Sequence, residues 1–559
     1  MNSVKCLLMG SAAGLIAVSA AQAADLPVKA APVEYVKVCN IYGAGFWYVP
    51  GTDTCMKIGT WVRYEIFTGS GDGGVVDGFG ASSTAAGRLT RVDTSMATSQ
   101  YRALVTIDAR TQTDFGTLRS YMDVGTKFQG YSTYPNSASA GLTLGGSPQN
   151  TQWNNNNVDA TRAFIQFAGF TAGRIRSLYD IVAPGAYTLS NNRILADTAD
   201  AGMFAIAYTA QFSGGISLSL SLEDPGQVSP QHARSSVNMS QEYWGGGTCV
   251  VPGAPGPAAG GSCIGGGGAL AAGQTVDNSG GNFWDSVVNL RIDQSWGYAA
   301  VSGALHNNSG GYYNNAINST NAAMANTVVQ GHPGDSYGWA GSAGFLLTDF
   351  LGLKGDTLAF GTQYGHGAVG YVIKSPGTYF LAGNGNHIAF GNTVDDVYAN
   401  GTGIDMSDAW SAWMGWEHFW TPKLHTAFQG GLVGVSYSGA AKSLMCAGAP
   451  GFAANPSNSL GFAYATTTGQ PGGFVNGWAP GSQCNPNMGW WQAGTRTIWN
   501  PHPDLDIGVE VLYQAINTAN RGAQIWSNGA SGGMAPGLYT FANEGIWSAA
   551  FRIQRNFLP

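Results

Sequence analysis

Apolar and polar residues alternate in one segment after another of this chain, and this period of two limits its fold more than any other feature. In the segment CMKIGTWVRYEIF, residues 55–67, Val62 and Tyr64 fall on one face while Arg63 and Glu65 fall on the other. Such alternation is typical of a β-strand that separates two environments. The segments therefore predict an all-β protein.

The connections between these segments are alternately tight and long. Tight connections include TDFG at residues 113–116 and GFTAG at residues 169–173, which we expect to lead into a strand over residues 174–180. The long connections cover roughly residues 68–100, 128–159, 181–201, 224–282, 307–338, 367–408, 439–488 and 517–545. Counting the segments gives about sixteen strands, and a closed bacterial outer-membrane barrel needs an even number. We therefore predict a 16-stranded antiparallel transmembrane β-barrel with short periplasmic turns and long extracellular loops, over residues 55–559.

The composition agrees with a barrel in a membrane. The chain has 559 residues with 83 Gly, 24 Tyr, 24 Phe and 17 Trp, and only 10% of its residues are charged. An ordinary soluble protein carries about 25% charged residues. The mean hydropathy of -0.04 is typical of a membrane barrel, because the lipid-facing and lumen-facing residues of each strand cancel. Composition alone leaves a large soluble β protein or a Gly-rich surface protein as alternatives.

The first residues have the pattern of a signal peptide. Lys5 provides a short basic region, residues 6–20 are apolar, and Ala21-Gln22-Ala23 is a cleavage signal of the A-x-A type. We expect a signal peptide at residues 1–23, a periplasmic N-terminal segment at residues 24–54, and export to the bacterial outer membrane.

Six cysteines follow the signal peptide, an even number that suits an oxidising compartment. Their spacing suggests three local disulfides: Cys39–Cys55, Cys249–Cys263 and Cys446–Cys484. Other pairings stay open, because connectivity cannot be deduced from the sequence alone.

Four stretches resemble the alphaproteobacterial general porin family, the rhizobial and Brucella-type porins. They are PVEYVKVCNIYGAGFWYVPGTDTCMKIGTWVRYE (32–65), TRAFIQFAGFTAGRIRSLYD (161–180), AYTAQFSGGISLSLSLEDP (207–225) and FRIQRNF (551–557). The resemblance implies a homotrimeric outer-membrane porin whose third outer loop, here about residues 181–201, folds into the lumen and constricts the pore. Such barrels usually end on an aromatic residue that the barrel-assembly machinery reads, whereas here Leu558 and Pro559 follow Phe557.

Arginines on the inward parity are the main candidates for the pore lining. They predict a basic wall on strands one to five and sixteen, formed by Arg63, Arg102, Arg119, Arg162, Arg174 and Arg552. An arginine facing lipid at mid-depth would cost about 2 to 4 kcal/mol, so an inward position is expected. The alternative is that these arginines pair with lumen acids such as Glu65, Asp108 and Asp123 and only hold the wall together.

The predicted constriction loop and its entrance carry the acids Asp180, Asp197 and Asp200, with Arg193 as the opposing charge. Acids on one side of a narrow gap and arginines on the other would create a transverse field in the pore. The alternative is that these aspartates bond to loop amides.

Aromatic residues are expected to form girdles at the two membrane interfaces. The candidates are Trp416, Phe419, Trp420, Trp499 and Phe557 near the periplasm, and Tyr437, Tyr513 and Trp547 near the outer side. A stacking path for sugars would need aromatics on the inward parity, where Trp61 alone is a weak case.

No catalytic signature is recognised in the sequence. The eight histidines are scattered without an H-E-x-x-H motif or paired metal spacing, and the net charge of -7 gives no reason to expect nucleic acid. An active transporter would need about 22 strands and a plug domain. We therefore expect no enzyme, cofactor or metal site, but a passive channel for ions and small hydrophilic solutes, surrounded by outer-membrane lipid and lipopolysaccharide. A substrate-selective channel, for example for sugars, is the alternative.

Overall fold

The computed structural model is built around one closed barrel of sixteen antiparallel strands. It describes residues 37–68, 97–129, 158–190, 194–198, 202–225, 232, 234–239, 283–313, 331–374, 377–382, 386–399, 401–446, 477–478, 482–527 and 537–558. The predicted signal peptide, residues 1–23, lies outside the described residues.

The barrel strands follow one another around the wall in chain order. They are β1 Thr54–Thr68, β2 Ala97–Thr113, β3 Gly116–Gln129, β4 Val158–Phe167, β5 Phe170–Ile175, β6 Met203–Gln211, β7 Ile216–Glu223, β8 Asp285–Gln294, β9 Gly297–Asn308, β10 Ser336–Thr348, β11 Thr357–His366, β12 Asp408–Thr421, β13 Leu424–Ser436, β14 Met488–His502, β15 Leu505–Thr518 and β16 Glu544–Leu558.

Pairing of the last strand with the first closes the barrel. Tyr64 of β1 lies opposite Ile553 of β16, and Arg63 lies opposite Gln554. Every other strand pairs with its two neighbours in sequence. The predicted sixteen-stranded antiparallel barrel is confirmed. Closure leaves no sheet edge whose backbone groups would need partners in lipid.

One predicted turn and the strand after it are wrong. The connection between β4 and β5 is not residues 169–173 but the pair Ala168-Gly169, and β5 ends at Ile175, so residues 176–180 are not a strand. Both turn residues have positive φ, 51° and 86°, as a two-residue type I′ hairpin requires. An alanine rarely adopts this conformation, so the turn was predicted at the glycines of residues 169–173 instead.

The outer surface of the barrel is apolar on one parity of each strand. Exposed side chains on this parity include Val62, Tyr101, Ile165, Ile206, Leu220, Val301, Leu432 and Val509. Trp420, Trp499, Trp547 and Phe557 are exposed as well, as expected of interfacial residues. Tyr437 is not part of a girdle: β13 ends one residue earlier, and the Tyr437 hydroxyl donates to the Asn392 carbonyl at 2.8 Å in a buried position.

Two of the predicted disulfides are present, Cys39–Cys55 and Cys446–Cys484. The cysteines of the third pair, Cys249 and Cys263, lie outside the described residues. The first disulfide ties the N-terminal segment to β1, where a short strand, Trp47–Tyr48, pairs with Cys55 and Met56.

The long connections form further small elements. Three short strands, Ser236–Asn238, Asp396–Tyr398 and Asp405–Met406, make one sheet, and five others, Gly377–Ala382, His387–Thr393, Gly477–Trp478, Gln524–Ser527 and Gly537–Phe541, make another. An α-helix, α1 Gly439–Met445, is capped by the Ser438 hydroxyl. Among the residues that the structure describes, 3-10 helices cover Asn40–Tyr42, Pro184–Tyr187, Ser213–Gly215, Phe350–Gly352 and Val369–Tyr371. In the part of the chain that the structure describes, no helix is both long and apolar enough to cross a membrane.

The sidedness of the barrel can be tested with two single cysteines. Gly403 lies exposed in the long β11–β12 connection with nothing near its Cβ position, and Lys423 lies exposed in the tight β12–β13 turn. We expect Gly403→Cys to react with a membrane-impermeant maleimide on intact cells and Lys423→Cys to react only after lysis. Surface labelling at position 423 would contradict the assignment of tight turns to the periplasm.

Asp396 gives the loop structure a pH dependence. The pKa of this aspartate is raised to about 7: burial is the largest cause, neighbouring Asp395 and Asp405 also act to raise it, and Ser236 and His306 act to lower it. Because the unfolded pKa is about 3.9, the contribution of Asp396 to loop stability is complete below that pH and is lost as pH rises through 7.

We therefore expect backbone hydrogen exchange of residues 394–399 to slow severalfold in Asp396→Asn relative to the parent at pH 8, and much less at pH 4.5. Comparing the two proteins at one pH cancels the intrinsic pH dependence of exchange. Asp504→Asn, in an exposed turn, is the control and should change nothing in this segment. Equal protection at both pH values would show that Asp396 does not titrate with the loop packing.

Candidate pore lining

The connection between β5 and β6 runs across the inside of the barrel. We call residues 176–202 the crossing segment; its described residues are 176–190, 194–198 and 202. It leaves the wall at β5, yet the Ile181 carbonyl accepts from the Tyr298 hydroxyl of β9 at 3.1 Å, and the Tyr187 hydroxyl lies 2.9 Å from that of Thr357 on β11. A segment that starts on one wall and bonds to distant strands must narrow the interior.

Glu510 of β15 anchors the middle of the crossing segment, at residues 188–190. Its buried carboxylate accepts from the backbone amides of Leu189 and Ser190, at 2.5 and 3.2 Å, and from the hydroxyls of Thr188 and Ser190. A buried carboxylate needs such partners to offset its desolvation. Glu510 was not among the predicted site residues, although its inward parity in the segment LDIGVEVLYQAI was the available signal.

Apolar packing fixes the crossing segment against one side of the wall. Ile181, Val182, Tyr187, Ile194 and Leu195 share a buried cluster with inward residues of β9 to β14, among them Ala300, Ala359, Trp413, Ala427, Val433 and Trp490. A Cβ at Gly361 would lie 2.7 Å from Val182, and one at Gly431 would lie 2.7 Å from Ile194. These glycines allow the close approach, so this side of the interior is filled.

The opposite side of the interior carries arginines. Register places Arg63, Arg102, Arg119, Arg162 and Arg552 on the inward parity of β1 to β4 and β16. Arg63 donates to Gln554 at 2.7 Å and lies 3.7 Å from Glu65. Arg552 donates to the same glutamate at 2.6 Å and also to the carbonyl of Leu189, in the middle of the crossing segment.

Two further acids lie on this side of the wall. Asp108 accepts from both Arg110 and Arg119 at 2.7 to 3.0 Å, so one carboxylate faces two guanidinium groups. Asp123 accepts from the Thr161 hydroxyl at 2.7 Å and from the Arg162 amide at 2.6 Å. Arginines therefore pair with lumen acids, and the cationic side chains still outnumber the acids whose side chains are described on these strands.

Arg174 is placed differently from the expectation. It lies opposite Ala163 and Phe204, and Phe204 is exposed on the outward parity. Its guanidinium donates to the Ala160 carbonyl at 2.9 Å, at the end of β5. The cause is the misplaced turn after β4, because parity counted from the wrong start assigns the residue to the wrong face.

Two of the predicted acids of the crossing segment, Asp180 and Asp197, are buried. Arg176 lies 3.3 Å from Asp197 and 3.7 Å from Asp180, and both aspartate side chains have no exposed surface. Burial acts to raise the pKa of Asp180, but His232 and Arg176 outweigh it and lower the pKa below its ordinary value. Asp200 and Arg193 lie outside the described residues. That these acids line an open solute path stays a prediction.

Aromatic side chains also occupy the arginine side of the interior. Tyr121 and Phe164 lie opposite each other on β3 and β4, and their rings stack with centroids 5.0 Å apart and planes 16° apart. The Arg119 guanidinium lies 5.0 Å and 5.3 Å from these two ring centroids. Neither ring was among the predicted site residues, although Tyr121 is two residues from inward Arg119 and Phe164 is two residues from inward Arg162.

Trp61 of β1 has a similar setting. The guanidinium groups of Arg63 and Arg102 lie 4.6 Å and 5.8 Å from its ring centroid. We call Trp61, Tyr121 and Phe164, together with Arg63, Arg102 and Arg119, the aromatic–arginine face.

Within the described residues, no group of three or more His, Cys, Asp or Glu side chains is arranged to hold a metal ion.

Residues 25–534 match the family described as Porin subfamily. The chain belongs to this porin family. Over 66 residues it is 56% identical to porin Omp2a of Brucella ovis, a match that covers 11% of this chain and 19% of that porin. Over 230 residues it is 33% identical to porin Omp2a of Brucella melitensis biotype 1, covering 40% of this chain and 57% of that porin.

The chain thus spans less than two thirds of the length of these two relatives. Among solved structures, the outer membrane channel DcaP of Acinetobacter baumannii aligns over 91% of this chain and 99% of its own, with 11% identity and a TM-score of 0.46. Membership of the porin family and the closed barrel support a location in the outer membrane.

Removing the Glu510 anchor should loosen the crossing segment. Glu510→Ala deletes the acceptor for two backbone amides and two hydroxyls, and each unsatisfied buried group costs about 1 to 3 kcal/mol. We expect larger open-channel current noise in single-channel recordings, with Glu510→Gln intermediate because it keeps one acceptor oxygen. If both variants are as quiet as the parent, Glu510 does not hold the segment in place.

Proposed function

We propose that this porin forms a passive, water-filled diffusion channel for ions and small hydrophilic solutes, with a preference for anions. One observation carries the preference: the crossing segment packs on β9 to β15, and the wall opposite has an excess of inward arginines. A solute that passes through the remaining gap meets a positive potential, which raises the local concentration of anions.

The basic wall in this proposal consists of Arg63, Arg102, Arg119, Arg162 and Arg552. Asp180 and Asp197 have a different role, since their burial beside Arg176 suits them to fix the start of the crossing segment against its end. The transverse field predicted from the sequence would then depend on Asp200 alone among the three acids.

Assembly and export belong to the same proposal. We expect a homotrimer in outer-membrane lipid and lipopolysaccharide, secreted with a signal peptide at residues 1–23. The barrel-assembly machinery would read the exposed Phe557 near the end of β16, although Leu558 and Pro559 follow it.

The preference for anions is tested by neutralising two wall arginines. Arg63→Gln with Arg102→Gln removes two positive charges that face each other across β1 and β2. We expect the zero-current potential in a tenfold KCl gradient to shift toward cation preference. The shift should be large in dilute salt and small near 1 M, where the Debye length is about 3 Å.

Arg555→Gln is the matched control, because Arg555 is an arginine of the adjacent strand on the outward parity. This variant should leave the potential unchanged. An unchanged potential in the double variant at low salt would show that the wall arginines do not set the selectivity.

A further inference from the structure

The aromatic residues of the basic wall are unusual for the inside of a water-filled barrel. The interior of such a barrel is ordinarily polar, because water and not lipid faces it. Trp61, Tyr121 and Phe164 nevertheless lie on the inward parity, and none of them belongs to the buried clusters in which the crossing segment packs, including the one where Leu189 meets Phe67 of β1. Packing against a loop therefore does not account for these rings.

The two sides of the interior differ in how they hold aromatics. On the filled side, Trp413 and Trp490 are 1% and 3% exposed and belong to the buried cluster. Trp61, Tyr121 and Phe164 are only half-buried. Trp413 and Trp490 therefore serve to fill the core of the filled side, whereas Trp61, Tyr121 and Phe164 present ring surface to the lumen.

Each exposed ring surface is accompanied by guanidinium groups. At the Tyr121–Phe164 stack, Arg119 lies about 5 Å from both centroids and keeps its charge partner Asp108 on the neighbouring strand. A flat ring would stack on these aromatics, and an attached carboxylate would accept hydrogen bonds from the guanidinium. The combination suits one chemical class, a planar ring with a negative charge.

Trp61 provides a second position of the same kind. Trp61 lies opposite Leu104 of β2, and Tyr121 lies opposite Asp108 of the same strand. Four residues along β2 correspond to about 13 Å, and β1 and β3 lie about 10 Å apart on either side of it, so the two positions are about 16 Å apart. A solute could pass from one position to the other along the wall.

We propose that the aromatic–arginine face binds planar organic anions, such as aromatic carboxylates, as they cross the channel. The inference rests on the proposed diffusion function and names a solute class that this channel favours. A neutral sugar would also stack on the rings, but it has no negative charge to pair with the three arginines.

The test uses the purified full-length protein in planar bilayers. KCl current is recorded first, and benzoate, cyclohexanecarboxylate and maltose are then added in turn. The first two have the same charge and nearly the same size, but only benzoate is planar. We expect benzoate to reduce the chloride current at about threefold to tenfold lower concentration than cyclohexanecarboxylate, as one stacking interaction implies.

Substitutions of the stacked rings test whether the difference between benzoate and cyclohexanecarboxylate arises at the aromatic–arginine face. Tyr121→Leu with Phe164→Leu should reduce or abolish the difference between benzoate and cyclohexanecarboxylate. The control is Phe345→Leu with Phe360→Leu, which removes a cross-strand stacked pair from the outward parity, with centroids 5.7 Å apart. This control should keep the full difference. If the inward double variant does not insert, Trp61→Leu takes its place and should reduce the difference as well.

The outcomes separate the two proposals. Equal block by benzoate and cyclohexanecarboxylate, or block by maltose as strong as that by benzoate, would overturn the aromatic–arginine face as an anion site while leaving the diffusion channel intact. An unchanged benzoate preference in the inward variants would overturn it too. Absence of any KCl current from the folded parent protein would overturn the diffusion function, and the anion site with it.

Discussion

Backbone hydrogen bonding in lipid is the constraint on which the rest of this structure depends. Each N–H and C=O in the hydrocarbon layer needs a partner from the protein, so strands can cross only as a closed sheet. Pairing of β1 with β16 meets that need, and it fixes which residues point outward and which inward. The apolar outer surface and the arginines of the interior both follow from this register. The crossing segment then divides the interior into a filled side and an arginine side, because small inward residues on β9 to β14 let it pack there.

Much of the barrel could be predicted from the sequence, because the period of two is repeated in every strand and a slip by one residue would turn polar side chains to lipid. The alternation in CMKIGTWVRYEIF, residues 55–67, predicted β1 to within one residue at each end. Prediction failed where local signals were ambiguous. Ala168 has a positive φ, which is rare for alanine, so the turn was predicted in the wrong place. The misplaced turn then led to a wrong face for Arg174. Tyr437 looked interfacial but packs within the loops.

The pore lining was less accessible to sequence reasoning than the barrel. Parity alone identified Arg63, Arg102, Arg119, Arg162 and Arg552, because inward position depends only on local alternation. The partners of the crossing segment could not be found that way, since Glu510 meets Thr188 from 322 residues away. The burial of Asp180 and Asp197 likewise depends on tertiary contacts with Arg176 and His232.

The pairing of β1 with β16 also has a consequence for how the chain folds. Arg63 and Gln554, which are hydrogen-bonded neighbours in the wall, are 491 residues apart in sequence. The loop-closure entropy of that contact is lost only once, and late, because every intervening hairpin can form from local segments first. Until the last strand arrives, β1 has an unpaired edge that any other strand could join. Closure is therefore the step at which this chain is most exposed to misassembly, and the barrel acquires its final stability only after its C-terminal strand is in place.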